Sequence, residues 1–437
     1  MKNITPSVQR AIVATLLLVA VCMRLAWAAK RGWVSSAGEA TNVALALAKG
    51  RGFSDAYFVG SGPTAHLMPT TPALAGAINW LVGPGVGAEI ALQSIASIEM
   101  AAGFLLLYKL FERLDVALLA RLAGLAILCL FPEFLGQESL DFRYWEGGIA
   151  VILATSCLLL IVDLDRQQRQ PEPRQVIALS LLFAVTFFVS PSLGLAIGAC
   201  ALLLLCRKPM WRGRIGMGAA AAAALLILLA PWVIRNDHTL DKPILLRSNM
   251  PLELALANND RQYGSASKQA FDTSMSAVHP AAGGPATARV RQIGEVAYMA
   301  ELSRATNAWI IGHPDRFAVL SARHLRQMFF PNAFQFEIGS GSFSGLRAAW
   351  YSVVSALGLC ALALGIWQRR RGYGYLGVVV AVVAMTYVPF QPMARYLYLN
   401  YGFLLFCAVD LLATMTTVGL GNRRRHPEAA AQQIAVS

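Results

Sequence analysis

Hydrophobic residues gather along the chain into ten runs, near 11–29, 88–110, 116–132, 147–163, 176–190, 192–206, 215–234, 347–367, 374–390 and 396–417. Most approach the roughly 20 apolar residues that a helix needs to cross hydrocarbon. The pattern predicts an all-α polytopic membrane protein with about ten transmembrane helices. The fifth and sixth runs are short and meet at Ser190-Pro191-Ser192, read as a tight turn. The first run contains Ala26-Trp27-Ala28, which has the small-x-small form of a signal-peptide cleavage site. Arg24 interrupts that run where a signal peptide is cleanly apolar, so it reads as a retained span.

Two long polar stretches break the pattern. The first, 30–72, is too rich in glycine and proline to cross a bilayer. It predicts a short helix beginning near Glu39, with Val43, Ala46 and Leu47 holding it against the membrane. The chain then turns back through Gly62-Pro63-Thr64-Ala65 and the Pro69/Pro72 step. The second stretch, 235–346, begins extended at 242–249 and reads as loose across 263–285. Two amphipathic helices follow, near 288–312 and 315–330, split by His313-Pro314. This is expected to be a cap on the outer membrane face. The chain divides accordingly into a membrane part at 1–234 carrying the loop 30–72, the cap at 235–346, C-terminal helices at 347–420, and a disordered cytoplasmic tail at 421–437.

The formal net charge of +13 raises the question of nucleic acid. The positions of the basic residues answer it, because they form short clusters between hydrophobic runs. Lys109 and Arg113, Arg166 to Arg174, Arg207 to Arg214, Arg369 to Arg371 and Arg423 to Arg425 all fall on one set of connections. The short connections of the other set carry only Arg143 and Arg395. By the positive-inside rule both termini are cytoplasmic and the two polar stretches lie outside. No basic stripe interleaved with aromatics exists, so nucleic-acid binding is excluded. All seven cysteines lie in the hydrophobic runs, with neither disulfide nor zinc-site spacing.

Few residues are left to carry chemistry. Glu39 admits two readings: a capping box with Ser36, or a general base at the membrane surface. Glu138 and Asp141 are three apart and would share a helix face, able to hold a metal or sugar hydroxyls, or to pair with Arg143 as solvated charges. Arg235, Arg395 and, on the cap, Arg323, His324 and Arg326 are cations suited to phosphate or to interfacial anchoring. Arg24 and Glu99 lie within spans, where charges are costly; they would pair with each other or line a headgroup cavity. His279-Pro280 and His313-Pro314 read as helix punctuation. No histidine pair has metal-ligand spacing and no phosphate-cradling glycine loop is present, so no cofactor is implied; a divalent metal is possible but not favoured.

A series of short motifs resembles a known family. Glu39, then Gly50-Arg51-Gly52-Phe53, Gly62-Pro63-Thr64-Ala65 and the Pro69/Pro72 step resemble the first outer loop of bacterial GT-C glycosyltransferases. The nearest are those related to protein O-mannosyltransferases and the lipid A aminoarabinose transferase. Ala230-Pro231-Trp232-Val233-Ile234-Arg235-Asn236, Arg247-Ser248-Asn249 and Leu252-Glu253-Leu254 resemble that family's seventh-span exit. Gly294-Glu295-Val296-Ala297-Tyr298-Met299 and Trp309-Ile310-x-x-His313-Pro314-x-x-Phe317 resemble its cap helices, and Arg395-Tyr396 the start of its last spans. His66 stands where relatives often carry an aromatic.

The resemblance implies a GT-C fold in a bacterial inner membrane. It implies inverting transfer of a sugar from a polyprenyl-phosphate donor to a lipid, glycan or protein acceptor on the periplasmic face. By position Glu39 would be catalytic. Arg395 and Arg235 would grip the donor phosphate, with Glu138, Asp141, Arg143, His66 and Arg323 as further substrate contacts. A transporter or flippase of lipid-linked glycans, or a glycan ligase or polymerase, are the rival readings.

Overall fold

The computed structural model describes residues 5–33, 38–131, 133–167, 170–208, 214–337 and 343–434. Ser36, Arg169 and Arg212 lie outside them. The membrane part opens with α1 (Pro6–Lys30), and the first polar stretch forms α2 (Glu39–Ala48) and α3 (Thr70–Val82). There follow α4 (Val86–Arg113), α5 (Leu118–Leu130), the single turn α6 (Leu135–Ser139), α7 (Gly147–Arg166), α8 (Pro173–Val189), α9 (Pro191–Arg207) and α10 (Arg214–Leu240). The cap contains α11 (Met250–Ala257), α12 (Asp260–Gly264), α13 (Lys268–Val278), α14 (Pro285–Gly312) and α15 (Pro314–Gln327). The chain ends with α16 (Ser344–Trp367), α17 (Tyr373–Thr386) and α18 (Ala394–Ile434). Among the described residues no strand forms; one isolated bridge joins Ser54 and Pro63.

Every predicted hydrophobic run is a helix, and length and composition alone confirm only part of the expected ten spans. Six helices are long and apolar enough to cross a membrane: α1, α4, α7, α10, α16 and the first part of α18. A seventh arises if α5 and the segment Leu135–Arg143, bent by 63° from it, count as one broken span. α8, α9 and α17 are shorter. A 17-residue helix rises about 26 Å, less than the roughly 30 Å of hydrocarbon. α8 and α9 meet at Ser190, which caps both, and Gly194 lets Phe187 lie directly against the α9 backbone.

The basic ends of several helices converge at the end of the bundle away from the cap. Arg113 reaches Asp163 at 2.6 Å, Arg166 reaches Asp115 at 2.9 Å, and Arg207 lies over the Tyr375 ring. Elsewhere in the bundle the charged residues are paired differently from expectation. Arg24 does not meet Glu99. Its guanidinium is buried against Glu138 at 2.8 Å and donates to the carbonyls of Leu128 and Cys129 at the end of α5. A buried arginine needs this many acceptors because each unpaired N–H would be costly in a low-dielectric interior.

Two other expectations are revised. α2 is not laid against the membrane: α3 packs over it, with Gly76 admitting Leu47 and the Ala44 carbonyl at close range. α3 instead carries the exposed apolar face, with Trp80, Leu81 and Val82 uncovered. The region read as loose, 263–285, holds α13, capped by the Ser267 hydroxyl on the Ala270 N–H. The two cap helices split at His313-Pro314 are found as expected, α14 with a non-helical break at Gly294 (φ +79°) that a side chain would strain.

Candidate active site

The first polar stretch is shaped by its own polar groups. Asp55 accepts from Arg51 Nε at 2.8 Å and from the N–H of Gly60 at 3.0 Å, so its carboxylate ties the loop into a closed turn. The motifs of the first stretch then meet those of the cap. The Glu295 carboxylate accepts the Thr64 hydroxyl at 2.5 Å, the Ala65 N–H at 3.0 Å and the Ser248 hydroxyl at 2.6 Å. The Ser248 N–H donates to the Ala65 carbonyl at 2.9 Å. Arg235 donates to the carbonyls of Thr64 (2.7 Å) and Phe53 (2.6 Å) and lies between the Phe53 and Trp232 rings. Gly294 matters here because its positive φ starts a new helical segment with Glu295 at its head. Burial raises the Glu295 proton affinity, against three hydrogen bonds that lower it.

Glu39 sits behind this knot. Gly38 (φ +63°) is the N-cap of α2, so Glu39 is the first residue of the helix, where the unpaired N–H groups favour an anion. The capping-box reading needed Ser36 as N-cap; Ser36 lies outside the described residues, and Gly38 holds that position. The Glu39 side chain is about 15% exposed and its Oε1 lies 3.0 Å from His279 Nε2. His279 Nδ1 accepts the Ala281 N–H at 3.2 Å, which leaves the ring proton on Nε2, facing Glu39. Burial alone would raise the Glu39 pKa; the His279 hydrogen bond and the nearby histidines outweigh it and hold the group down at about 2. Glu39 is therefore a carboxylate at any ordinary pH.

His66 completes this wall. It is buried, and its Nδ1 lies 3.0 Å from the Tyr57 hydroxyl. The rings of Tyr57, His66 and His279 meet edge to face. Burial pushes His66 down to about 4, with the Glu39 charge opposing. His279, read from the sequence as punctuation, is thus also the partner of Glu39.

The opposite wall is built from the last spans and the α6–α7 turn. The Arg395 guanidinium stacks 4.4 Å from the Trp145 ring and donates to the Tyr396 hydroxyl at 3.1 Å. Its Nε is buried without a hydrogen-bond partner. Arg395 lines a narrow cleft of about 30 Å³, shared with Glu146, Ser190, Tyr387 and Tyr396. Arg247 ion-pairs with Glu146 at the same cleft, so Arg395 has a second cation near it. Tyr387 and Tyr396 stack at 4.2 Å, and the Tyr387 hydroxyl reaches Ser192 at 3.3 Å.

One residue spans the two walls. Glu253, in the first turn of α11, interacts electrostatically with Arg395, His279, Glu39 and Arg247. His66 senses the same four charged groups or partners: Glu39, His279, Arg247 and Arg395. Glu39 and Arg395 are therefore linked electrostatically through His66 and Glu253, although Glu39 is not among the residues that line the Arg395 cleft.

The remaining sequence candidates are placed elsewhere or tied up. Glu138 and Asp141 do not form a pair: Glu138 is bound by Arg24, whereas Asp141 lies in a separate turn toward Arg395. Arg143 ion-pairs with Glu89 and donates to the Trp33 carbonyl at 3.0 Å. Arg323 donates to the carbonyls of Gln262 (2.6 Å) and Tyr263 (3.3 Å), joining α15 to α12. Among the described residues no group of three or more His, Cys, Asp or Glu is arranged to hold a metal ion.

A polytopic helical bundle with such a cap is a GT-C fold. Across 96% of its length the chain superposes on an archaeal oligosaccharyltransferase, AglB from Archaeoglobus fulgidus, solved with an inhibitory peptide and a dolichol-phosphate, at a TM-score of 0.51 and 13% identity. It spans about half of that protein, 52%. ArnT from Cupriavidus metallidurans, solved bound to undecaprenyl phosphate, aligns over 93% of this chain and 78% of its own, with TM-score 0.37 and 15% identity. No protein-family model and no curated protein matches the sequence.

Proposed function

We propose that this protein is an inverting glycosyltransferase of the bacterial inner membrane, taking a sugar from a polyprenyl-phosphate carrier and placing it on a hydroxyl acceptor at the periplasmic face. What supports this reading is an ionised, largely buried carboxylate, Glu39, and a stacked, incompletely bonded arginine, Arg395, that act on the same two groups, His66 and Glu253. The donor phosphate would bind Arg395 with Arg247 beside it, since a planar guanidinium matches phosphate oxygens. Its leaving group departs already anionic, so fixed cations supply the stabilisation that the transition state needs.

An apolar groove supports the lipid part of the reading. It runs between α8, α9 and α10, with a volume of about 410 Å³, and is lined by residues such as Phe187, Gly194, Gly198 and Ala221. Its cap end, at Phe187 and Gly194, is one helical turn from Ser190, which lines the Arg395 cleft. A polyprenyl tail in the groove would bring its phosphate to that arginine.

Glu39 would accept a hydrogen bond from the acceptor hydroxyl and aim its oxygen at the anomeric carbon. Positioning of this kind is worth several kcal/mol when the geometry is near the reactive one. The cap would exclude water and limit hydrolysis of the donor. Whether the acceptor is lipid, glycan or protein is read by mass. Envelope lipids, glycans and glycoproteins are compared in cells with and without the gene: a missing increment of one sugar, restored by the intact gene, is the expected result. An unchanged envelope profile, together with transport of a lipid-linked sugar by the purified protein in vesicles, overturns the reading.

A further inference from the structure

Two carboxylates, Glu39 and Glu253, interact with each other and with His279, and the proposed reaction has one proton to dispose of. Resting on the glycosyl-transfer reading, we infer that Glu253 is a catalytic residue, the group that takes the proton from the acceptor hydroxyl, while Glu39 holds that hydroxyl in place.

The placement of Glu253 follows from how α11 is suspended. Just before the helix, the Ser248 N–H donates to the Ala65 carbonyl of the first polar stretch. Just after it, Asn258 Nδ2 donates to the Pro389 carbonyl, at 2.8 Å, in the link between α17 and α18. α11 therefore bridges the Glu39 wall and the Arg395 wall, and Glu253 lies midway along the bridge. The charges that act on it come from four elements: Glu39 from α2, His279 from the turn after α13, Arg247 from the segment before α11, and Arg395 from α18. Its own charge acts in turn on Tyr57 and Tyr396.

The two acids are tuned in opposite directions. Glu39 is held down by the His279 proton, and a base that weak accepts little proton density from a hydroxyl. Burial drives Glu253 upward, with the arginines and His279 limiting the rise. Two carboxyls whose environments push their proton affinities apart are the usual signature of divided acid–base roles. In the step itself the acceptor O–H bond breaks and its proton passes to the Glu253 carboxylate. The acceptor oxygen forms a bond to the anomeric carbon. The bond from that carbon to the phosphate oxygen breaks, and its electron pair leaves on the phosphate at Arg395.

The test uses the full-length purified protein with labelled polyprenyl-phosphate monosaccharides, a detergent extract of envelope lipids and glycans supplying the acceptor hydroxyls. Glu253→Gln is expected to lower turnover by roughly 100-fold or more, to flatten the acid limb of the pH–rate profile, and to leave binding of polyprenyl phosphate within about threefold. Glu253→Asp should restore part of the rate and the acid limb with it. Turnover in Glu253→Gln within threefold of wild type overturns the proposal while leaving the transferase reading intact; a wild type that consumes no donor in the panel counts against that reading instead. An infrared pH titration gives a second readout that needs no turnover. The difference between wild type and Glu253→Gln should contain one carboxyl that protonates well above the usual glutamate range, and its absence overturns the proposal.

Discussion

His279 Nε2 lies 3.0 Å from Glu39 Oε1, and the Ala281 N–H on the far side of the ring fixes which nitrogen carries the proton. Replacing His279 with alanine removes the group that offsets the burial of Glu39. The Glu39 pKa is then expected to rise, so that one carboxyl of the variant protonates at a higher pH than it does in wild type. An infrared pH titration of the two proteins checks this, with coincident carboxyl titrations as the contrary result.

The same pair sets a pH dependence of stability. Glu39 has a folded pKa of about 2, below its ordinary 4.5. A depressed carboxyl stabilises the fold above its unfolded pKa and loses that contribution as pH falls through the folded value. The stabilisation from Glu39 should be complete above about pH 5 and disappear between about pH 4.5 and 2. Thermal unfolding midpoints of wild type and His279→Ala should therefore differ at neutral pH and converge in strong acid.

Glu295 joins three separated segments through Thr64, Ala65 and Ser248. Glu295→Ala leaves those buried donors without an acceptor, at about 1–3 kcal/mol for each group that finds no other partner. A lower unfolding midpoint and loss of turnover are expected together, because the loop leading to His66 is released. Full activity in this variant would show that the knot does not position the site.

Arg24 and Glu138 form a buried pair inside the bundle. Arg24→Met alone strands the carboxylate and is expected to cost about 3–5 kcal/mol, whereas the double change Arg24→Met with Glu138→Leu should recover most of the loss. Denaturation midpoints in detergent measure both. Loss of turnover in a stable double variant would instead place the pair in the substrate site.

Much of this arrangement is legible in the sequence, for identifiable reasons. Hydrophobic runs locate helices well, because apolar periodicity is a local property. Whether a helix of 14 or 17 residues crosses a membrane depends on its neighbours, and so α8, α9 and α17 defeat a span count. Glu39 stands out as an acid at a helix start. His279 does not, since its partner is 240 positions away and α13, which delivers it, has a polar, alanine- and serine-rich sequence that reads as loop. Glu253 and Glu295 sit within recognisable motifs, yet nothing local says what they face. Arg24 shows the same limit: a charge inside a span demands a partner, but sequence alone does not choose between Glu99 and Glu138.

Arg395 provides a test of the donor side. Arg395→Ala should weaken binding of polyprenyl phosphate by about 10- to 100-fold, equivalent to about 1.4–2.8 kcal/mol. Arg395→Lys should recover little, since an ammonium neither stacks on Trp145 nor presents a planar fork to phosphate. Calorimetric titration distinguishes these outcomes from an unchanged affinity, which would move the phosphate elsewhere.

The account stands on Glu39 acting together with Arg395. Release of polyprenyl phosphate from labelled polyprenyl-phosphate monosaccharides by purified Glu39→Gln tests this most directly. The variant should bind polyprenyl phosphate as wild type does and turn over roughly 100- to 10,000-fold more slowly. Turnover within threefold of wild type, at equal folding and equal phosphate affinity, would contradict it.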